Sequence, residues 1–311
     1  MTTGRLMHCP VISYHMALFM VRYGEIALKS PGVRMRFEKA LGRNITSRFM
    51  KSGKECRIQL ERGRIFLWSD DVDFAEDALT RTFGIVSYSR VTESTSSKED
   101  IFRIAAEISK PCFKQGARFR ATVRRNGQHP YTSMELAKEV GDAVFLANRH
   151  LDPKVDLSHP EVEICVDVRQ NKSYIYTGSH PGPGGMPLGT QGRVLGILEK
   201  SRDADACWLM MKRGCRVFIL TDNAGLAEPL KAWDQNLKVL PLENRDLSKF
   251  ARSRRAEGLC LGWDAAEFDS KGNEMAGYGM PVFLPLIGMD AAEVEMLTER
   301  IRGRNPHLTA L

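Results

Sequence analysis

Between an apolar run, Val194–Leu198, and a helical stretch ending at Lys212-Arg213-Gly214, the chain reads Glu199-Lys200-Ser201-Arg202-Asp203-Ala204-Asp205. A strand-to-helix turn is where an α/β protein commonly holds a phosphate. The first N–H groups of the helix point out of the turn, and the helix dipole favours an anion there. Lys200 and Arg202 could clamp phosphate oxygens by charge, and Asp203 or Asp205 could hold a divalent cation against them. The backbone of Ile197 and Leu198 would border the same space. So would Gly262, at the end of a second short apolar strand, with Lys271 on the segment beyond it. The turn contains no glycine, however, and Glu199 carries the charge a phosphate would repel. A solvated turn with no ligand is the competing reading.

A second constellation is basic. Arg118, Arg120, Arg124 and Arg125 lie on or just past one strand pattern, and the first three share parity. Side chains two apart leave a strand on one face, so they could follow consecutive phosphates of an RNA backbone. Lys29, Arg34, Arg36, Lys39 and Arg43 add a second basic edge. A-form RNA displays its backbone and 2′-hydroxyls, which suits reading by shape. Tyr23 and Tyr131 could stack on unpaired bases or pack in the core. Seven cysteines, an odd number with no C-x-x-C pair, argue against a disulfide framework and against a structural zinc site. No metal site is expected. Cys207 falls on a helix and Cys260 in a strand, where buried packing is the usual role. Asp203 and Cys260 are the two catalytic candidates the residue types offer.

The elements that must position these groups follow from periodicity. A strand over 16–22 precedes a basic amphipathic helix, 33–53. Two strands, 56–62 and 64–69, join at Gly63; a helix over 72–83 and a strand over 85–91 complete a βαββαβ order, the ferredoxin-like arrangement. The next unit has a helix over 98–113, a strand over 117–125, and a helix over 133–150 capped by Ser133, with Glu135 in its first turn. Strands over 161–169 and 172–179 close it. Residues 180–192 turn to Gly and Pro, which marks a linker. Beyond it, apolar runs at 194–198, 216–220, 237–242, 258–261 and 282–284 alternate with helical stretches, an α/β pattern with a mostly parallel sheet.

Charge divides the same way. Residues 1–180 hold 28 Lys+Arg against 21 Asp+Glu, and the remaining residues 17 against 17, so the whole net charge of +7 sits in the first part. It is densest over 22–64, with 12 basic against 4 acidic residues. A polyanion-binding half joined to a neutral half is the physical reading. No run of eighteen apolar residues occurs, which excludes a membrane span of that length. The apolar patch 11–21 lacks a cleavage site and reads as the run-in to the first strand, which makes cytoplasmic the default location.

These residues carry a resemblance. "RYGEIALKS" followed by a basic helix resembles the opening of tRNA 4-thiouridine synthetases, also called thiamine-biosynthesis sulfurtransferases. "FRATVRRNGQHPYTSMELAKEVGDAV" and "VDLSHPEVEICVDVRQNKSYIYTG" are similar to their THUMP domain. "GGMPLGTQGRVLGIL", "MKRGCRVFIL" and "LPLIGMDAAEVEMLTERI" are similar to their pyrophosphatase-loop domain. The resemblance implies a multidomain α/β and α+β fold. Its parts are an N-terminal ferredoxin-like domain (1–78), a THUMP RNA-binding domain (79–180), a linker (181–192) and a Rossmann-like α/β domain (193–311). It implies binding of tRNA at the acceptor stem and 3′ end. It also implies adenylation of a uridine with ATP and Mg²⁺ for 4-thiouridine formation.

Departures from the family pattern bear on the chemistry. The family's loop reads Ser-Gly-Gly-x-Asp-Ser, where this chain has Glu199–Asp205, one residue shorter. A Ser-Gln-Thr phrase further on becomes Ser270-Lys271-Gly272. Bacterial relatives often carry a rhodanese domain with a persulfide cysteine, and this chain is too short to be expected to hold one. Some archaeal relatives use a cysteine pair in the ATP domain, whereas Cys207, Cys215 and Cys260 lack that spacing. The expectation is a tRNA-binding protein with weakened or lost ATP chemistry and no certain cofactor. It would work with a sulfur donor or partner modification enzyme, or as a homodimer through its neutral domain. The alternative is an active ATP-dependent tRNA sulfurtransferase.

Overall fold

The computed structural model describes residues 16–61, 63–242 and 246–303; the beginning of the apolar patch 11–21, the last residue of the strand read over 56–62 and the end of the span 193–311 lie outside them. The first strand, β1 (Ala17–Arg22), is apolar on both faces because both are covered: Phe19 and Val21 enter one core, Leu18 and Met20 another. After it come α1 (Pro31–Lys51), the hairpin β2 (Arg57–Glu61) and β3 (Arg64–Ser69), α2 (Val72–Thr80) and β4 (Ser87–Thr95). The sheet order β2-β3-β1-β4 with α1 and α2 on one face is the ferredoxin-like arrangement.

The second unit holds α3 (Lys98–Ser109), β5 (Arg118–Arg125), α4 (Ser133–Ala147), β6 (Lys154–Val155), β7 (Val162–Val168) and β8 (Lys172–Thr177). The cap of α4 is Thr132, not Ser133. The Thr132 hydroxyl accepts from the Glu135 N–H, and the Glu135 carboxylate accepts from the Thr132 N–H at 2.7 Å, a capping box open to Thr132 alone, because the residue three beyond Ser133 is Leu136.

Strand β4 belongs to both units, pairing through its first half with β1 and through its second with β8. Three strand spacings separate β3 from β8, roughly 14 Å in a flat sheet. Yet the Phe66 and Tyr174 rings on those strands stack with centroids 4.5 Å apart. The nine-stranded sheet must therefore fold over at β4, closing its helix-free face around Leu18, Met20, Phe66, Val91, Tyr174 and Tyr176.

The Gly/Pro segment begins as a short strand, β9 (His180–Pro181), on β4. Gly184 O accepts from Gly84 N–H at 2.8 Å, and Met186 N–H donates to Lys212 O at 2.9 Å, which ties the segment to both sides. Gly185 has φ +72°, and a Cβ there would stand 2.1 Å from Lys212 O, so only glycine fits.

The last domain runs β10 (Arg193–Ile197), α5 (Ser201–Lys212), β11 (Arg216–Leu220), α6 (Glu228–Lys231), β12 (Lys238–Leu240), α7 (Leu247–Arg254), β13 (Leu259–Cys260), α8 (Ala265–Lys271), β14 (Val282–Phe283) and α9 (Ala291–Ile301). All its pairings are parallel, in the order β12-β11-β10-β13-β14. The order reverses between β10 and β13, and the crevice at their carboxyl ends is where a doubly wound sheet takes a ligand. No described helix is long and apolar enough to cross a membrane.

The first and last domains are joined through a buried cation. Arg48 of α1, 7% exposed, donates to Ala232 O (2.9 Å), Trp233 O (2.7 Å) and Arg81 O (2.6 Å). Beside it Phe83 packs on Trp208 and Trp233. Burial lowers the Arg48 pKa to about 10, against the pull of Asp77 and Asp234, so the guanidinium stays charged at neutral pH.

Candidate functional site: the crevice at the carboxyl ends of the sheet, and the basic surface

At the end of β10, Leu198 N–H donates to Leu220 O at 3.0 Å, and Thr221 Oγ1 donates to Leu198 O at 2.7 Å. These bonds fix where the chain leaves the sheet. The next two N–H groups, of Glu199 and Lys200, donate to one oxygen of Asp203 at 2.8 and 2.7 Å. Backbone N–H groups at a strand-to-helix turn form an anion seat. In this chain a carboxylate of α5 itself is the anion, and Asp203 is only 7% exposed.

Gly262, just past β13, stands directly behind: a Cβ on it would lie 2.3 Å from Asp203 Oδ1. Lys200, Asp203 and Gly262 thus come together with the ends of Ile197 and Leu198, as the sequence implied. The cations of the turn are occupied. Lys200 pairs with Glu267, and Arg202 pairs with Asp264 at 2.7 Å and with Glu267. Asp264 also caps α8, accepting the Glu267 N–H at 2.9 Å. The hydrogen bond from Lys200 leads the effects that lower the Glu267 pKa. The Asp264 pKa is lowered by the Glu267 N–H and then by Arg202. Among the described residues, Arg202 Nε has no hydrogen-bond partner.

Asp264 and Glu267 are the crevice residues that reading the sequence missed. The signal was present, since an acidic residue followed at i+3 by another begins a capped helix two residues after Gly262. Asp205 does not reach the crevice. It is 3% exposed on the far side of α5, where Thr298 Oγ1 donates to it at 2.6 Å. Lys271 lies over the Trp263 ring, 5.9 Å from its centroid, and Ser270 Oγ bonds Glu267 O within α8.

Cys207 and Cys260 are fully buried, and the thiol of Cys207 is held far above the usual range by its hydrogen bond with Cys260 and by burial. Cys215 is raised by burial. Thiols in this state are poor nucleophiles. The residues present do not fit ATP and Mg²⁺: the anion seat is filled by Asp203, and its cations Lys200 and Arg202 face carboxylates.

On the basic side, Lys29, Arg36 and Lys39 are exposed, and Arg36, Lys39 and Arg43 share a stripe of α1; Arg34 lies 4.0 Å from Glu38. On β5, Arg118 meets Glu161 at 3.2 Å and Asp156 at 3.8 Å, and Arg120 meets Glu163 at 2.9 Å. Arg124 is exposed on the same face, and Arg125 donates to His129 O at 3.2 Å. Tyr23 and Tyr131 are packed in: Gly63 N–H donates to the Tyr23 hydroxyl at 3.0 Å, and that of Tyr131 donates to Ser96 O at 2.9 Å.

Residues 18–89 match the family model of the ThiI ferredoxin-like domain, and residues 95–177 that of the THUMP domain. A probable tRNA sulfurtransferase of Methanothermobacter thermautotrophicus is 36% identical, over 91% of this chain and 84% of that protein. This chain belongs to the tRNA sulfurtransferase family. A tRNA sulfurtransferase of Thermoplasma volcanium is 29% identical over 92% of this chain and 68% of its own length. The crystal structure of PH1313 from Pyrococcus horikoshii superposes with a TM-score of 0.80 at 32% identity, covering 92% of this chain and 99% of that one. A 4-thiouridine synthetase crystallised with RNA and ATP has the same fold, with a TM-score of 0.74 at 21% identity over 95% of this chain and 87% of its own. In this member of the tRNA sulfurtransferase family, the Glu199 and Lys200 N–H groups at the crevice are taken by the Asp203 carboxylate.

Proposed function

We propose that this member of the family binds tRNA and takes part in tRNA thiolation without adenylating the nucleic acid itself. The observation that carries the reading is the Asp203 carboxylate, seated on the Glu199 and Lys200 N–H groups where a nucleotide phosphate would sit. A phosphate entering there would have to displace that carboxylate and separate Lys200 and Arg202 from Asp264 and Glu267, all within a few ångströms. The exposed cations of α1 and Arg124 of β5 support tRNA as the ligand. Sulfur donation then falls to a partner enzyme that receives the presented tRNA.

The unpartnered Arg202 Nε favours a second reading, in which the turn opens to admit ATP when tRNA is bound. AMP and pyrophosphate release from ATP and Mg²⁺, with and without bulk tRNA and sulfide, decides between them. No release beside salt-sensitive tRNA binding supports the first reading. Release that depends on tRNA makes the protein an adenylating tRNA sulfurtransferase.

A further inference from the structure

The neutral charge count of the last domain hides a separation. Its carboxylates Asp203, Asp264 and Glu267 crowd the carboxyl end of the sheet, whereas cations gather at the opposite end. A cleft of about 780 Å³ lies there between α1 and the amino ends of β10, β11 and β12, lined by Arg43, Arg193, Arg216, Lys238 and Arg255, with Glu257 the one acidic residue on its wall. Arg193 and Arg216 are direct partners in the parallel register of β10 and β11. Like charges placed opposite each other on neighbouring strands repel. None of the five cations forms an ion pair within 4.0 Å among the described residues. The contrast with β5 and β7 is direct, since there Arg120 stands opposite Glu163 and bonds it.

Helix dipoles explain Arg255, which follows the carboxyl end of α7, where a cation is favoured. Arg193 shares that helix end, its Nη1 donating to Arg254 O at 3.1 Å, but the dipoles do not explain Arg216 or Lys238, which begin β11 and β12. Arg36, Lys39 and Arg43 occupy one exposed stripe of α1, and Arg43 is itself on the cleft wall. The cations of the two domains therefore form one continuous track. Their relative position is fixed, because Arg48 clamps α1 to the last domain and Asn44 Nδ2 donates to Leu188 O at 3.2 Å.

We infer that this cleft is a second binding groove for an RNA phosphodiester backbone, continuing the α1 stripe across the back of the last domain. The inference rests on the reading of the protein as a tRNA binder. It moves RNA contact in the last domain from the crevice to the opposite end of the sheet.

The test measures binding of bulk tRNA to the full chain by fluorescence anisotropy from 50 to 300 mM KCl. A combined Arg193→Gln, Arg216→Gln, Lys238→Gln variant is expected to bind roughly 10- to 100-fold more weakly near 100 mM salt. Its slope of log K against log[KCl] should be lower by about 2 to 3. Asn236→Lys, which adds a cation to the exposed rim of the same cleft, is expected to tighten binding several-fold and steepen the slope by about 1; this gain cannot arise from misfolding. Unchanged affinity and slope in both variants, with the wild type binding tRNA, overturn the groove alone. Absence of tRNA binding by the wild type overturns the reading beneath it. Inorganic phosphate that raises the wild-type melting temperature but not that of the triple variant, with tRNA affinity equal in both, would make the cleft a small-anion site and overturn the RNA track.

Discussion

Asp203 and Gly262 are pressed together: a Cβ on Gly262 would stand 2.3 Å from the Asp203 carboxylate and 2.7 Å from its α-carbon. A glycine at the end of a parallel strand ordinarily lets a ligand approach, and at this position it admits a side chain of the same protein. The loop after β10 and the loop after β13 are thereby locked as one unit. Gly262→Ala is expected to destabilise the fold by about 1–3 kcal/mol, because the obstacle includes backbone and cannot simply rotate away. Urea unfolding of the variant checks this, and an unaltered midpoint would mean that Asp203 is not seated as described.

The second prediction removes the internal anion. Asp203→Ala leaves the Glu199 and Lys200 N–H groups without their acceptor and should cost about 1 kcal/mol, the usual size of a lost helix cap. The vacated seat should then accept an inorganic anion. Pyrophosphate at a concentration well above its dissociation constant should raise the melting temperature of Asp203→Ala and leave that of the wild type unmoved. Equal shifts in the two proteins would show that the seat was open all along.

The parts of this molecule that were legible in its sequence are those governed by local rules. The strand over 216–220 matches β11 residue for residue because an apolar run bounded by Gly214 and a Thr-Asp turn leaves little freedom. The cap of α4 lies one residue before Ser133, since Thr132 and Ser133 are both good caps and only Glu135 decides between them. The fold-over of the sheet at β4 was not legible, because nothing in "SYSRVTEST" says that one strand serves two units. The pairing of Lys200 and Arg202 with Asp264 and Glu267 spans more than sixty residues. The residue types show a turn without glycine, and the resemblance implies glycines there; only the packed chain shows what fills the space. The same holds for Arg193 and Arg216, whose adjacency follows from strand order and not from spacing.

The third prediction concerns Arg48. Its guanidinium is satisfied by three main-chain carbonyls on two domains. Arg48→Met keeps the packing of the stem but orphans those carbonyls and strips Asp77 and Asp234 of a nearby counter-charge. The expected loss is about 2–4 kcal/mol. Because the lost bonds cross between domains, the thermal transition should also broaden or split. A single, equally sharp transition at the wild-type midpoint would show that Arg48 contributes nothing to domain coupling.

The last prediction is a pH dependence. Burial raises the Asp205 pKa from 3.8 to about 6, with the Thr298 hydrogen bond and Arg302 opposing it. The native state therefore holds this proton more tightly than the unfolded chain does. Between about pH 4 and 6 the folded form binds more protons, so stability from this group falls as pH rises. Its contribution is complete below about pH 4 and is lost once pH passes about 6. Asp205→Asn keeps an acceptor for the Thr298 hydroxyl and removes the charge. The variant should match the wild type near pH 4 and exceed it at pH 7.5 by about 1–3 kcal/mol, the free energy of a shift of this size discounted for partial solvation. Denaturant midpoints of both proteins at the two pH values test it. Parallel pH profiles would show that the Asp205 carboxylate is already ionised at little cost, compensated by groups nearer than Arg302.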